Sequence, residues 1–220
     1  MPSLFTFNMP RHPVTELMGV SVPDATIKIA GTKIVANGPL LITHWGMSGP
    51  AVLKASAIAA RELASMHYEF RIMVNWLNDM NEADLRDLFS QFRRENGKQS
   101  LVGKNPFNLP KRLWEYLLKE SGIQDETRWG DLPAGAQNKL IEHLLRDMYQ
   151  VKGKTTFKEE FVTCGGINLA EVDPHTMQSR IVQGLYFAGE IMDVDGVTGG
   201  YNFQHAWSSA WIAAQNMTSD

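Results

Sequence analysis

Between Gly184 and Trp211 the sequence reads GLYFAGEIMDVDGVTGGYNFQHAWSSAW, and its chemistry-bearing residues are Glu190, Asp193 and Asp195, followed by Gly196, Gly199 and Gly200. An ionised carboxylate only accepts hydrogen bonds, so Glu190, placed just after a short apolar run, suits hydroxyls such as those of a ribose or ribitol chain. Gly189 precedes it, and Asp193 lies on the loop that follows. The glycines of GVTGGYN open backbone conformations closed to other residues and let a flat ligand approach the main chain. A helix from about Phe203 would present unpaired amide N–H groups and a partial positive charge at its start. Both stabilise an electron-rich oxygen or an anionic ring. These parts together describe a cofactor pocket. The plainer alternative is an ordinary acidic loop. A calcium loop fails on register, because the twelfth residue from Asp193 is Gln204, and no Gly-Lys-Ser/Thr follows to make a phosphate-binding P-loop.

A second constellation, THWGMSGPAV (Thr43 to Val52), offers His44 and Ser48 as substrate-side neighbours at the start of a helix. GMSGP departs from the G-x-S-x-G nucleophile elbow because Pro50 follows the second glycine, so a hydrolase reading is weak, and no general base stands out. His205 falls in the first turn of the last helix. The remaining histidines have no zinc spacing, and no metal is expected. Cys164, the only cysteine, is expected to fill a strand end.

The elements that must position these residues change character along the chain. SLFTFN, ATIKIA, TKIVA and PLLIT alternate in short runs, as antiparallel sheet or a small barrel does. Pro50 opens a helix through AVLKASAIAARELA, and HYEFRIMVNWL returns to alternation with Tyr68, Phe70, Ile72, Val74 and Trp76 on one face. Asn81 caps a helix carrying Leu85, Leu88, Phe89 and Phe92. A second helix starts at Pro110, and a third spans about Ala136 to Tyr149. EEFVT and a buried LYFA strand lead to the final helix. The division expected is a β-rich part over 1–78, a helical subdomain over 79–153 and a cofactor-binding part over 154–220.

With 44% hydrophobic and 20% charged residues the chain has the balance of a folded protein. A net charge of −3 gives no reason to expect nucleic acid or anionic lipid as a partner. No apolar run reaches the roughly 20 residues of a membrane span, so the default compartment is the cytoplasm.

TCGGINLAEVDPHTMQSRIVQGLYFAGEIMDVDGVTGGYNFQHAWSSAW resembles the C-terminal segment of a bacterial family of NAD(P)/FAD-dependent oxidoreductases, the aminoacetone oxidase family FAD-binding enzymes, related to a flavin enzyme of bile-acid metabolism. GPLLITHWGMSGPAVLKAS resembles an internal segment of the same family. The resemblance implies a two-dinucleotide-binding-domain flavoprotein with a β-rich domain and a helical domain inserted into the FAD-binding fold. Its fold class is α+β: a barrel-like β-rich domain, an inserted helical subdomain and a C-terminal strand-turn-helix. By position, Glu190 resembles the acidic residue that binds the ribityl and diphosphate region of FAD. Thr198, Gly199, Gly200, Tyr201 and Asn202 resemble the turn and helix start beside the isoalloxazine ring, and Gly165 and Gly166 the preceding strand-turn element. Such families open with a G-x-G-x-x-G turn, which does not occur here. The expectation is therefore the C-terminal half of a larger flavoprotein, holding no FAD and showing no turnover by itself. The parent would use FAD, with NAD(P)H as a possible electron donor, on a small organic substrate. Exposed strand edges around Leu185 to Ala188 would favour self-association. The competing reading is a non-enzymatic protein-interaction module using the helices after Asn81.

Overall fold

The computed structural model describes residues 1–78, 80–154, 162–197 and 199–217. It begins with β1 (Pro2–Ser3), β2 (Phe7–Asn8), β3 (Ser21–Ile29), β4 (Val35–Ile42) and β5 (Gly46–Ser48). Helices α1 (Pro50–Ile58) and α2 (Ala60–Ser65) lead to β6 (Glu69–Asn75), and α3 (Glu82–Asn96), α4 (Lys111–Glu120) and α5 (Ala134–Arg146) come next. Strands β7 (Asp147–Lys152) and β8 (Val162–Thr163) precede α6 (Tyr201–Met217).

Six strands pair in the order β2-β5-β4-β3-β6-β7, all antiparallel. The two outer strands nearly meet: Phe7 bridges Lys154, and the Asn8 N–H donates to the Gly153 carbonyl at 3.3 Å. The sheet is thus an almost closed barrel, and the expected α+β, barrel-like fold is what the chain adopts. Period-two patterning explains its interior, where Ala25, Ile27, Ile29, Leu40, Ile42, Phe70, Ile72, Val74, Tyr149 and Val151 are buried. Helix α1 lies across β3 and β4 and buries Ala51, Val52 and Ala55. Gly46 is obligatory, because a Cβ there would sit 2.0 Å from the Phe7 carbonyl oxygen.

Several expectations need correction. Asn37-Gly38 does not separate two strands: β4 runs through it, and the mismatch is absorbed by a bulge opposite, between Val22 and Ala25. Pro23 and Pro39, which have no N–H to give a ladder, sit at that irregularity. The helix from Pro50 breaks at Ala59 into two pieces. Tyr68, at φ 59°, precedes β6 rather than joining it. The third helix stops at Arg146, because Leu140, Ile141, Leu144 and Leu145 obey the helical period whereas Asp147, Tyr149 and Val151 alternate; Met148 is consequently exposed. LYFA is no buried strand. Leu185 is 41% exposed, and the segment makes only an antiparallel bridge from Tyr186 to Gln178, with no flanking strands among the described residues. Of EEFVT, only Val162–Thr163 falls within the described residues, as β8.

One hydrophobic cluster extends from the barrel interior through α3, α4 and α5. At its centre lies a buried carboxylate. Asp147, where α5 gives way to β7, accepts the Trp76 indole N–H at 3.1 Å and the Tyr149 hydroxyl, and its other oxygen is 2.8 Å from His143 Nδ1. The hydrogen bond to Asp147 raises His143 above its ordinary 6.5. Burial lowers His12, whose ring packs edge-on against Tyr149 and whose Nδ1 accepts the Val14 N–H at 3.2 Å.

Through these opposed shifts the joint contribution of the two histidines to stability is greatest near pH 6.5. The His143 contribution is complete below that value and lost as pH rises through its raised folded pKa. The His12 contribution is complete above it and lost as pH falls through its depressed one. In urea melts from about pH 5 to about pH 8, His143→Gln should flatten the alkaline limb and His12→Gln the acid limb. A wild-type midpoint that does not change over this range would contradict the assignment.

Candidate functional site

The residues singled out beyond position 162 are held by a few long-range contacts. Strand β8 pairs antiparallel with β1, Thr163 opposite Pro2, and Cys164 extends the pairing: its N–H donates to the Met1 carbonyl, and the Met1 ammonium donates to the Cys164 carbonyl, both at 2.7 Å. Gly165, at φ 98°, turns the chain. Gly166 then passes so close to the 191–192 backbone that a Cβ would lie 2.4 Å from the Ile191 carbonyl oxygen. The crossing is fixed by Ile167 N–H to Ile191 O at 2.8 Å and Asp193 N–H to Ile167 O at 3.1 Å.

Glu190 sits on a single 3-10 turn, Gly189–Ile191. Its Oε1 accepts the Thr163 N–H at 2.9 Å, which aims the carboxylate back at the β8 end. The Gly189 N–H donates to the buried Ser209 hydroxyl at 2.9 Å, and that hydroxyl donates to the His205 carbonyl at 2.7 Å, so the turn is tied to α6. Asp193 takes both its oxygens to the Arg61 guanidinium, at 2.9 and 3.0 Å. Both contacts come from one nitrogen, Nη2; the pair is half-exposed and contributes little stability, but it ties Asp193 to α2. Val197 packs with Leu53 against Leu4, Ala57 and Val162. Asn202 clamps Gly196 twice, accepting its N–H at 2.7 Å and donating to its carbonyl at 2.9 Å.

The structure therefore gathers Gly165, Gly166, Gly189, Glu190, Asp193 and Asn202 around one backbone crossing at the start of α6. Gly199 and Gly200 have φ of 122° and 87° and lead into Tyr201, the first residue of α6, two positions earlier than the sequence implies. Thr198 lies outside the described residues. His44 is exposed with its ring 4.0 Å from that of Trp45, Ser48 lies in β5 opposite Leu41, and no hydrogen bond, ion pair or ring contact among the described residues ties either to residues 189–202. Cys164 is buried, and burial first, then Asp195, raises its thiol, as expected of a strand-end filler. His205 lies in the second turn of α6, because the helix starts at Tyr201, and its Nε2 is buried with no partner among the described residues. Arg61, Ser209 and Thr163 were not legible as site residues. Arg61 meets its partner across 132 positions of chain, and no local spacing signals that.

A cleft of about 810 Å³ between Leu17, Arg112, Tyr116 and Gln124 lies elsewhere, on the α4 side. Its Arg112 already donates to the Glu16 and Met18 carbonyls. Among the described residues no cluster of His, Cys, Asp and Glu could hold a metal, and no helix is long and apolar enough to cross a membrane.

A barrel-like sheet bearing helices, joined to a strand-turn-helix module with an acidic, glycine-rich bend, defines a mixed α and β protein whose candidate site lies outside the barrel. Residues 1–162 match the family model described as HI0933-like protein barrel and H2TH domain, and the chain belongs to this HI0933-like family. It is 40% identical over 201 residues to a ribosomal RNA dihydrouridine synthase of Escherichia coli K12, a match covering 91% of this chain and 47% of that protein. A protein of the same name in Haemophilus influenzae is 31% identical over 214 residues, 97% of this chain and 50% of its own length. A 3-dehydro-bile acid delta(4,6)-reductase of Clostridium scindens is 28% identical over 221 residues, 98% of this chain and 53% of its own. The chain thus spans about half the length of these relatives. The family and the reductase relative are compatible with an oxidoreductase-type flavoprotein family.

The crossing at Gly166 should be the least tolerant point of the site. Gly166→Ala forces a Cβ against the Ile191 carbonyl and should destabilise the module by about 1–3 kcal/mol, read as faster hydrogen exchange at Ile167 and Asp193. Gly165→Ala, where the added atom meets open space, should cost only the strain of its positive φ, about 1 kcal/mol. Equal protection in Gly166→Ala and wild type would contradict the described packing.

Proposed function

We propose that this chain is the flavin-side half of an FAD-dependent oxidoreductase that saturates a carbon–carbon double bond conjugated to a carbonyl. The supporting observation is the bend itself: one oxygen of Glu190 is anchored at Thr163 while the other has no partner among the described residues, on a turn that Ser209 ties to the 17-residue helix into which Gly199 and Gly200 lead. Among the described residues, nothing lies within 4 Å of where a side chain at Gly165 or Gly200 would begin.

These residues suit the ribityl and ring end of FAD. Glu190 would accept its hydroxyl groups, the positive-φ glycines would let the ring approach the main chain, and the amides opening α6 would stabilise negative charge on its pyrimidine edge. Asp193, engaged with Arg61, would hold the loop rather than the cofactor, and Asn202 would hold the bend open through Gly196. Bound FAD would supply hydride transfer, with NAD(P)H as its reductant. Saturation of the double bond would take one hydride from the reduced cofactor and one proton from solvent, a gain of two electrons and two hydrogens.

The reaction class rests on the names of the relatives. A dihydrouridine synthase and a 3-dehydro-bile acid delta(4,6)-reductase both describe saturation of a ring double bond conjugated to a carbonyl. The small net negative charge argues against a nucleic-acid substrate only for these 220 residues, about half the span of the relatives, so a uracil ring and a steroid-like enone are both to be tested.

In the whole flavoprotein, anaerobic NAD(P)H with ribosomal RNA or a 3-oxo-4,6-diene steroid should give dihydrouridine by mass spectrometry or loss of the dienone absorbance. Glu190→Ala removes a charge-assisted hydrogen bond of about 1.5–3 kcal/mol, so FAD affinity should fall roughly ten- to hundredfold, with turnover restored by excess FAD. Turnover by the holoprotein without flavin, or an unchanged FAD affinity in Glu190→Ala, would contradict the reading.

A further inference from the structure

The outward side chains of the barrel are placed as regularly as the buried ones. On β3, β6 and β7 the exposed positions include Lys28, Glu69, Arg71, Met148, Gln150 and Lys152, with Met73 half-buried between them. Strand pairing sets Lys28 opposite Met73, Met73 opposite Met148, Arg71 opposite Gln150 and Glu69 opposite Lys152. The register therefore carries Lys28, Arg71 and Lys152 across three strands on one diagonal. Diagonal neighbours in an antiparallel sheet stand about 7–8 Å apart, so the three cations form an evenly spaced row.

A fourth cation extends the row beyond β7. Arg11 and Lys152 line one cleft of about 470 Å³, whose other walls are Pro10, His12, Pro13 and Gln150. Arg11 holds φ at 61° between two prolines, and the His12 N–H closes the turn on the Met9 carbonyl at 3.1 Å. Such a φ favours Gly, Asn or Asp. The residue found there is instead one whose cationic side chain shares a cleft with Lys152.

None of these four side chains makes an ion pair or hydrogen bond among the described residues. By contrast Arg61, Arg86, Arg93, Arg112 and Arg146 all have carboxylate or carbonyl partners. Glu69 is the one acidic side chain in the array, and it too is unpaired among the described residues. The net charge of −3 belongs to the whole chain, whereas this face is locally basic.

The spacing selects the occupant. One small phosphate would need its cations to converge on a point, but the register spreads Lys28, Arg71 and Lys152 over roughly 15 Å. An anionic membrane would call for apolar side chains to insert beside the charges, and Met148 is the single large apolar residue exposed among these positions. A row of unpaired cations without an aromatic among them suits the phosphates of an extended polyanion rather than its bases.

We propose that the Lys28–Arg71–Lys152 diagonal, with Arg11 at its end, is the surface on which the barrel receives the phosphate backbone of an RNA substrate. The inference rests on the reductase reading above and deepens it, favouring a uracil ring carried on RNA over a free steroid-like enone. The barrel holds the strand without regard to sequence, and selection of the base is left to the flavin site.

The test is fluorescence anisotropy of a labelled oligouridylate with the 220-residue chain over a range of salt concentrations. Log affinity should fall against log salt with a slope of about −3, from four phosphates at about 0.7 each on a single strand. Lys28→Gln, Arg71→Gln, Lys152→Gln and Arg11→Asn should each weaken binding about fivefold at about 0.1 M salt and make the slope shallower by about 0.7. All four together should lose at least about a hundredfold. Asn suits a positive φ, so Arg11→Asn should lower the affinity without lowering the urea midpoint. Lys98→Gln, at an exposed cation just after α3, should change neither affinity nor slope. No binding, a salt-independent affinity, variants that bind as the wild type does, or an equal loss in Lys98→Gln would each overturn the proposal. Tighter capture by phosphatidylserine vesicles than by RNA would also overturn it, in favour of a membrane surface. No flavin enters this measurement, so the two readings fail separately. RNA held by the four cations of a whole flavoprotein that reduces no uridine would keep the surface and sink the reaction, and flavin-dependent reduction of a steroid dienone without RNA affinity would do the reverse.

Discussion

A single buried carboxylate organises the larger part of this molecule. Asp147 stands where the last barrel strand leaves the last helix of the inserted group, and it collects the Trp76 indole, the Tyr149 hydroxyl and the His143 ring. A carboxyl group so far from water is tolerated when its oxygens find hydrogen-bond partners, and both oxygens of Asp147 do. Because Trp76 follows β6 and Tyr149 lies on β7, the same interaction sets the register that carries the sheet towards closure at Lys154. Helical period and strand period change over at this residue, so a polar group does what no apolar one could. It ends one pattern and satisfies the start of the next.

The second part hangs on the first by fewer contacts. Residues 162–164 pair with the first strand, Arg61 reaches from α2 to Asp193, and Val197 packs beside Leu53. The described residues of the bend are positioned by backbone crossing and clamps, with Gly166 against Ile191 and Asn202 around Gly196. Such a site is ordered without being enclosed. Its open side and the bare aromatic face of α6 belong to the same module, which has a core of four buried residues and a large uncovered surface.

Much of this was legible from residue patterns. The short alternating runs announced a barrel-like sheet, Asn81 announced the cap of α3, and Glu190 with the following glycines announced the bend. What failed did so for identifiable reasons. Asn37-Gly38 looked like a turn because local chemistry favours one, yet a bulge in the neighbouring strand lets β4 continue. LYFA looked like a buried strand because composition cannot say whether neighbouring strands are present. Residues 147–149 continued a helical stripe only because Met148 and Tyr149 are apolar, whereas burial follows the two-residue period. Arg61 was invisible because its role depends on contact across the whole fold.

The most direct test of the central claim, that the bend at 189–202 is one side of a flavin site, is an absorbance and fluorescence titration with FAD. It uses the 220-residue chain alone and the whole flavoprotein. The account predicts an unperturbed flavin spectrum with the chain alone and saturable, stoichiometric binding with the whole flavoprotein, weakened when Glu190 is changed to Ala. A flavin spectrum that neither preparation perturbs would contradict it.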